Sequence, residues 1–263
     1  MSAFDAVANA DVPVRDASTV VLLRDSDQGL ETWLLTRVRG MAFAAGASVF
    51  PGGRVDEADA ELPFAPGGVA LTASRFGCDE ARARVLLGAA VRETFEETGV
   101  LLSIPVADLS GARTDVEAGR IGFGQLLRSN DLVLDAEGLR PWSRWITPVG
   151  EVRRYDTHFF VGALPDGAEA QDVTSESSSA SWVGVGAALE AAQRGERIML
   201  PPTLATLASL VPFETVAEAL AASEGRSLEA VQPKITAGPD GGYRADLPDG
   251  SSFLLPRATG GGR

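Results

Sequence analysis

The chain has one cysteine and one histidine among its 263 residues. With Cys78 alone, a disulfide framework within one chain and a cysteine-rich zinc site are both excluded. A reducing, cytoplasmic setting fits. No apolar run reaches eighteen residues, so no membrane partnership through a spanning helix is expected. The opening MSAFDAVANADVPVRD has no basic stretch followed by an apolar one, and no secretory signal is expected there. Positive charge is also scarce: 23 basic against 36 acidic residues give a net charge of −13. Such a surface repels a polyanionic backbone, so nucleic acid is not an expected partner. A small anionic substrate remains compatible, because a few arginines or a bound cation can reverse the sign inside one cleft.

What is present is the composition of a soluble globular chain, 45% apolar and 22% charged. Residues 1–16 are polar, without periodicity, and read as a loosely held segment. Ser18–Arg24 and Glu31–Val38 read as strands joined by the turn residues DSDQG. Ala47–Phe50 reads as a short strand running into Pro51-Gly52-Gly53. Residues 60–77, broken by Pro63, Pro66 and Gly67-Gly68, look like an irregular insertion, expected to cover a sheet edge or a substrate cleft. Asp79 opens a helix that runs to Thr98 and is closed by Gly99. Further helices are expected over Thr114–Ser129, Gly186–Arg194 and Pro202–Ala222, the last with a break at Pro212. Strands are expected at Trp142–Ile146, Arg153–Leu164 and Ser181–Val185, with two or three more in Pro233–Pro256. Early hairpins mixed with helices predict an α/β fold with a mixed sheet.

The chemistry is concentrated in Arg92–Val100, RETFEETGV. At about 100° per residue, Glu97 lies about 40° and Glu96 about −60° from Glu93, so three carboxylates share one helix face. Leu87, Val91 and Phe95 share the opposite face and can enter a core. Glu93 and Glu97 repel each other at i,i+4 by roughly 0.2–0.5 kcal/mol when exposed. A divalent cation between them would turn that cost into a site, and oxygen-only donors favour Mg²⁺ or Mn²⁺ over zinc. Three glutamates alone also describe a solvated acidic face. The upstream FPGGRVDEAD changes the reading, because its glycines let backbone amides approach a ligand closely.

Together these pieces resemble the Nudix hydrolase signature, G-x5-E-x7-R-E-U-x-E-E-x-G-U, with U a bulky apolar residue. Gly53 matches the first glycine and Asp59 stands where the family has Glu. Arg92, Glu93, Glu96, Glu97, Gly99 and Val100 match the second half. Thr94 takes the first apolar position, and 32 residues instead of seven separate Asp59 from Arg92. A signature split in this way is similar to that of peroxisomal-type coenzyme A diphosphatases, which carry an insertion inside their Nudix box. The similarity extends to LLTRVRGMAFAAGASVFPGG, WSRWITP, RRYDTHFF and MLPP, covering roughly residues 18–215. The closing Gly-Gly-Gly-Arg carries no peroxisomal SKL-type signal.

The resemblance implies a Nudix α/β/α sandwich over residues 17–222, with a helical insertion at 60–84 and a strand extension at 223–263. It implies hydrolysis of a nucleoside diphosphate linked to another moiety. Coenzyme A or acyl-coenzyme A leads, giving 3′,5′-ADP and a 4′-phosphopantetheine product; ADP-ribose or dinucleotides are the alternative, and a non-catalytic binding module stands behind both. Glu93, Glu96, Glu97 and Asp59 are the implied ligands of Mg²⁺ or Mn²⁺, with Glu57 a substitute for Asp59. Arg92 would aim a motif carboxylate. Glu96 is the base within the box; Glu176 is the candidate outside it, with Asp172 its competitor. Gly52 and Gly53 would approach the substrate. The family's coenzyme A arginine falls on Ala42 here, so Arg37, Arg39, Arg153 and Arg154 are the candidates for phosphate contacts. His158 is expected to line or support the site, and Trp142, Trp145 and Trp182 to fill a core or an interface. A homodimer is compatible with all of this.

Overall fold

The computed structural model describes residues 12–38, 46–172, 177–237 and 243–255. Its first strand pair is β1 (Val14–Ser26) and β2 (Gly29–Arg37), followed by the short β3 (Ser48–Val49) and β4 (Gly52–Arg54). Two helices come next, α1 (Gly68–Phe76) and α2 (Glu80–Thr98), then β5 (Ser103–Ile104), α3 (Arg113–Glu117), α4 (Phe123–Ser129) and β6 (Val133–Leu134). The hairpin β7 (Leu139–Ile146) and β8 (Arg154–Ala163) precedes β9 (Ser177–Gly184), α5 (Val185–Gln193), α6 (Pro201–Leu210) and α7 (Val216–Ala222). The chain closes with β10 (Ala230–Val231), β11 (Lys234–Ala237), β12 (Tyr243–Asp246) and β13 (Ser252–Leu255).

The main sheet runs β10-β7-β8-β1-β2-β3 and is mixed, with β1 parallel to β8 and antiparallel to β2. Strand alternation divides its side chains between two cores. Val20, Leu22, Trp33, Leu35 and Phe160 pack under α1 and α2 on one face. Val21, Leu23, Leu34, Phe159 and Val161 pack under α5, α6 and α7 on the other. A bulge at Pro141/Ser143 resets the alternation, so both Trp142 and Trp145 reach the second core.

One irregularity of the sheet positions the site. β1 and β2 pair only near their turn, Leu23–Ser26 against Gly29–Thr32. Beyond it β2 is paired along one edge with β9 as far as Arg37. The edges that β1 and β2 would have shared are taken by β4, on Ala17–Thr19, and by β3, on Leu35 and Thr36. The strands therefore splay, and Phe50-Pro51-Gly52-Gly53 fills the wedge between them.

Several elements differ from the sequence expectation. Val14–Asp16 open β1 and are not loosely held; ten successive pairs with β8 include them. Residues 60–77 are not irregular, since α1 occupies their second half and sends Val69, Ala73 and Phe76 into the first core. The insertion thus packs beside α2 and against β7. Thr114–Ser129 is two helices, separated by Gly119 at φ 67°. Pro202–Ala222 is broken around Pro212 as expected, and the second helix is started by a capping box of Thr215 and Glu218. The strands of Pro233–Pro256 form a separate three-stranded antiparallel sheet, β11-β12-β13. No helix among the described residues is long and apolar enough to cross a membrane.

Candidate active site

The site is built on the last two turns of α2. Asp79 caps the helix by accepting the Arg82 amide, and Gly99 ends it in the left-handed region at φ 76°. From Leu86 to Val91 every residue is buried, and Thr94, Phe95 and Thr98 continue that buried face. Glu93, Glu96 and Glu97 are half-buried on the remaining face, as the angular spacing predicts. Thr94 tolerates its fully buried position because its hydroxyl donates to the Ala90 carbonyl at 2.7 Å, which removes the cost of an unpaired polar group. Ser18 on β1 fixes the helix to the sheet by donating to the Leu86 carbonyl at 2.7 Å.

The glycine turn lies against these carboxylates. The Gly52 amide donates to Glu97 Oε2 at 2.9 Å. A Cβ on Gly53 would stand 2.5 Å from the Glu93 carboxylate, so this close approach admits only glycine without displacing Glu93. Asp59, in a 3-10 turn at Glu57–Glu61, is brought up to α2 through Gly88, where a Cβ would meet the Asp59 carbonyl at 2.5 Å. The insertion that separates the two motif halves by 32 residues is closed in space by this contact.

Arg92 ties the cluster together. Its Nε donates to Asp59 Oδ1 at 2.8 Å and its Nη2 to Asp59 Oδ2 at 3.0 Å. Nη1 donates to Glu93 Oε1 at 2.8 Å and lies 3.5 Å from Glu96 Oε1. Burial opposes the guanidinium charge, but the hydrogen bonds to Asp59 and the charges of Glu93, Asp59 and Glu96 hold its pKa above the ordinary value. Asp59 is 1% exposed, and its Oδ2 also accepts the Asp56 amide at 2.8 Å. Both its oxygens are engaged by protein donors, unlike those expected of an open ligand. Glu57 is exposed on the same turn.

Glu96 is the perturbed acid of the cluster. Burial raises its pKa to about 7, Glu93 and Asp59 add to the rise, and Arg92 opposes it. Excess negative charge concentrated on an all-oxygen donor set suits a hard divalent cation, and Glu93, Glu96 and Glu97 are the residues placed to hold one.

The remaining candidates separate. Arg154 donates to the Thr147 carbonyl at 3.2 Å within the β7–β8 hairpin, and Arg153 is exposed before β8. Arg154 opens β8 next to Tyr155, and neither arginine pairs with a residue of the carboxylate cluster. Arg37 lies at the end of β2 and lines a cavity of about 240 Å³ that begins at Gly52. Arg39 and Glu176 lie outside the described residues. Asp172 is exposed and accepts the Ser177 hydroxyl at 3.2 Å.

His158 faces away from that cavity. It is 1% exposed, meets the Phe76 ring edge-on at 4.7 Å, and burial lowers its pKa to about 4. Its ring and the carboxylates of Asp16 and Asp156 lie within 4.8 Å of one another, a spacing that suits a metal. Arg144 grips Asp156 at 2.6 and 2.8 Å, and Arg82 bridges Asp16 at 2.6 Å and Asp156 at 3.1 Å. Two guanidiniums already neutralise the two acids, so this group is a buried brace between α2 and β1, β7 and β8. Sequence reasoning missed this brace and the cavity. The signal available for the cavity was Trp145 and Tyr155 flanking a proline- and threonine-containing turn, which by itself selects nothing. Of the tryptophans, Trp142 is fully buried, Trp182 meets Trp33 edge-on at 5.4 Å, and Trp145 lines the cavity.

Comparison with known proteins adds the family context. A family model described as the NUDT19 Nudix domain matches residues 78–210, just over half of the chain. The match begins after the Gly53–Asp59 half of the signature. The chain is 29% identical over 258 residues to the acyl-coenzyme A diphosphatase NUDT19 of Gallus gallus, covering 77% of this chain and 66% of that protein. It is 29% identical over 203 residues to the putative nudix hydrolase 7 of Caenorhabditis elegans, covering 74% and 60%. It thus spans just under two thirds of the length of these curated relatives. The crystal structure of a NUDIX hydrolase from Alicyclobacillus acidocaldarius superposes with a TM-score of 0.65 at 27% identity, covering 81% of this chain and 97% of that one.

Proposed function

The chain belongs to the Nudix family through its NUDT19-type Nudix domain, and on that premise we propose that it is a divalent-cation-dependent diphosphatase acting on coenzyme A and acyl-coenzyme A. The observation that carries the proposal is the half-buried carboxylate face of Glu93, Glu96 and Glu97 cradled by Gly52 and Gly53. The names of the acyl-coenzyme A diphosphatase relatives support the choice of substrate.

The reaction is attack of water on one phosphorus of the diphosphate. The P–O bond to the bridging oxygen breaks, and 3′,5′-ADP and a 4′-phosphopantetheine leave as separate monoesters. A cation held by Glu93, Glu96 and Glu97, Mg²⁺ or Mn²⁺ on the donor set, supplies charge neutralisation of the diphosphate and a lowered pKa for the attacking water. Glu96, half-buried on the carboxylate face and 3.5 Å from Arg92 Nη1, is the carboxylate within the signature that would accept the water proton. Arg92 holds Glu93 and Glu96 at fixed angles, and Asp59 holds Arg92, so Asp59 positions the cluster from beneath. Arg37, the arginine that lines the cavity with Gly52, would meet a substrate phosphate. The single, half-buried Cys78 supports a reducing compartment such as the cytoplasm.

The test is to incubate the purified full chain with coenzyme A, its 3′-dephospho form and ADP-ribose, each with Mg²⁺ or Mn²⁺, and to identify products by mass. Release of 3′,5′-ADP from coenzyme A, at a higher kcat/KM than cleavage of the other two, is the expected result. Preference for ADP-ribose would move the protein to the broader nucleoside diphosphate hydrolases.

A further inference from the structure

The cavity beginning at Gly52 lies on the opposite side of the sheet from α2, among side chains of the second core. Gly52 is shared: its amide reaches Glu97 while the residue itself forms part of the cavity wall. One wall is β7 and β8, through Trp145, Tyr155 and Phe159; a second is the start of α6 at Leu200; the third is the C-terminal sheet, through Ile235 and Ala245. The extension beyond the family match therefore completes a chamber that shares Gly52 with the carboxylate cluster.

The lining of this chamber distinguishes between the two halves of a coenzyme A molecule. Its charged lining residues are Arg37 and Glu151, of opposite sign. Glu151 is half-buried, and burial alone accounts for the rise in its pKa. With one charge of each sign in an otherwise apolar and hydroxyl-bearing wall, the chamber offers no net positive charge to the 3′-phosphate of the nucleotide half. The pantetheine arm is uncharged, carries two amides, and ends in a thiol or in a thioester bearing hydrocarbon. Thr147, Thr157 and Thr203 supply hydroxyls to the amides, and the aromatic and aliphatic wall matches the hydrocarbon. We propose that this chamber binds the acyl-pantetheine half of the substrate, with the C-terminal sheet as the wall that selects acyl-coenzyme A over free coenzyme A. The proposal rests on the coenzyme A reading given above.

The experiment is isothermal titration calorimetry of the full chain with S-octanoyl-pantetheine, pantetheine and 3′,5′-ADP. Octanoyl-pantetheine should bind at least tenfold tighter than pantetheine, since buried methylenes add roughly two- to fourfold each. Ile235→Trp, which fills the chamber from the C-terminal sheet, should abolish that gain and leave 3′,5′-ADP binding unchanged. Ala245→Leu replaces it if thermal melting shows the first variant unfolded. An equal affinity for the two pantetheines, or a loss confined to 3′,5′-ADP in the variant, overturns the assignment. Binding of octanoyl-pantetheine without release of 3′,5′-ADP from octanoyl-coenzyme A would uphold the chamber and sink the diphosphatase reading. Hydrolysis of coenzyme A without any octanoyl gain would do the reverse.

Discussion

Replacing Asp59 with Asn separates positioning from ligation at the one motif acid that departs from the family residue. The side chain keeps its volume and still accepts one hydrogen bond, but loses its charge and offers N–H where Arg92 also donates. A charge-assisted hydrogen bond contributes about 1.5–3 kcal/mol, and stripping one partner from a buried pair costs about 3–5 kcal/mol. Arg92 retains Glu93 at 2.8 Å and the Arg54 carbonyl at 3.0 Å, which places the loss near the lower bound, about 3 kcal/mol. For a chain of this size that lowers Tm by about 6–12 °C. Freed from Asp59, Arg92 no longer fixes Glu93 and Glu96, and kcat should fall about tenfold, near 1.4 kcal/mol of barrier. Cation affinity, measured by calorimetric titration of Mn²⁺ below the melting transition, should change by less than about threefold, under 0.7 kcal/mol. A folded Asp59→Asn protein that has lost tenfold or more of its Mn²⁺ affinity would refute the reasoning and make Asp59 a ligand.

Three further outcomes are expected. Glu97→Gln should lower kcat by ~10³-fold or more, ~4 kcal/mol of barrier, while circular dichroism stays native because Leu87, Val91 and Phe95 still pack; an active variant with unchanged metal dependence removes Glu97 from the site. Gly53→Ala pushes a methyl into the Glu93 carboxylate, so activity should drop by at least about tenfold with little change in Tm, and full activity would show that the close approach has no role. His158 is buried with its pKa lowered to about 4 from 6.5. The unfolded chain therefore binds a proton that the folded chain refuses between these values, and stability falls as pH drops through that window. The loss attributable to His158 is at most about 3 kcal/mol; denaturant titrations at pH 7 and pH 4.5 should show a shallower drop for His158→Gln, and identical drops would reject the linkage.

The sequence determined the parts whose signals are local. The angular spacing of Glu93, Glu96 and Glu97 follows from helix pitch alone, and α2 begins and ends at the capping residues Asp79 and Gly99. Alternation placed His158 with Asp156 on one face of β8 and Tyr155 with Phe159 on the other, which is how the two sides of the sheet divide them. The break in 114–129 was readable from Gly119 and Gly122, which lie between the two helices, the first in the left-handed region and the second as the cap of α4. Tertiary structure alone decided what distant segments do together. Asp59 becomes a support for Arg92 because Gly88 lets a remote turn touch α2. The chamber exists because β7 and β8, the start of α6 and the C-terminal sheet meet around Phe50 and Gly52. These arrangements depend on contacts between residues dozens to hundreds of positions apart, and no window of sequence holds both partners of such a contact.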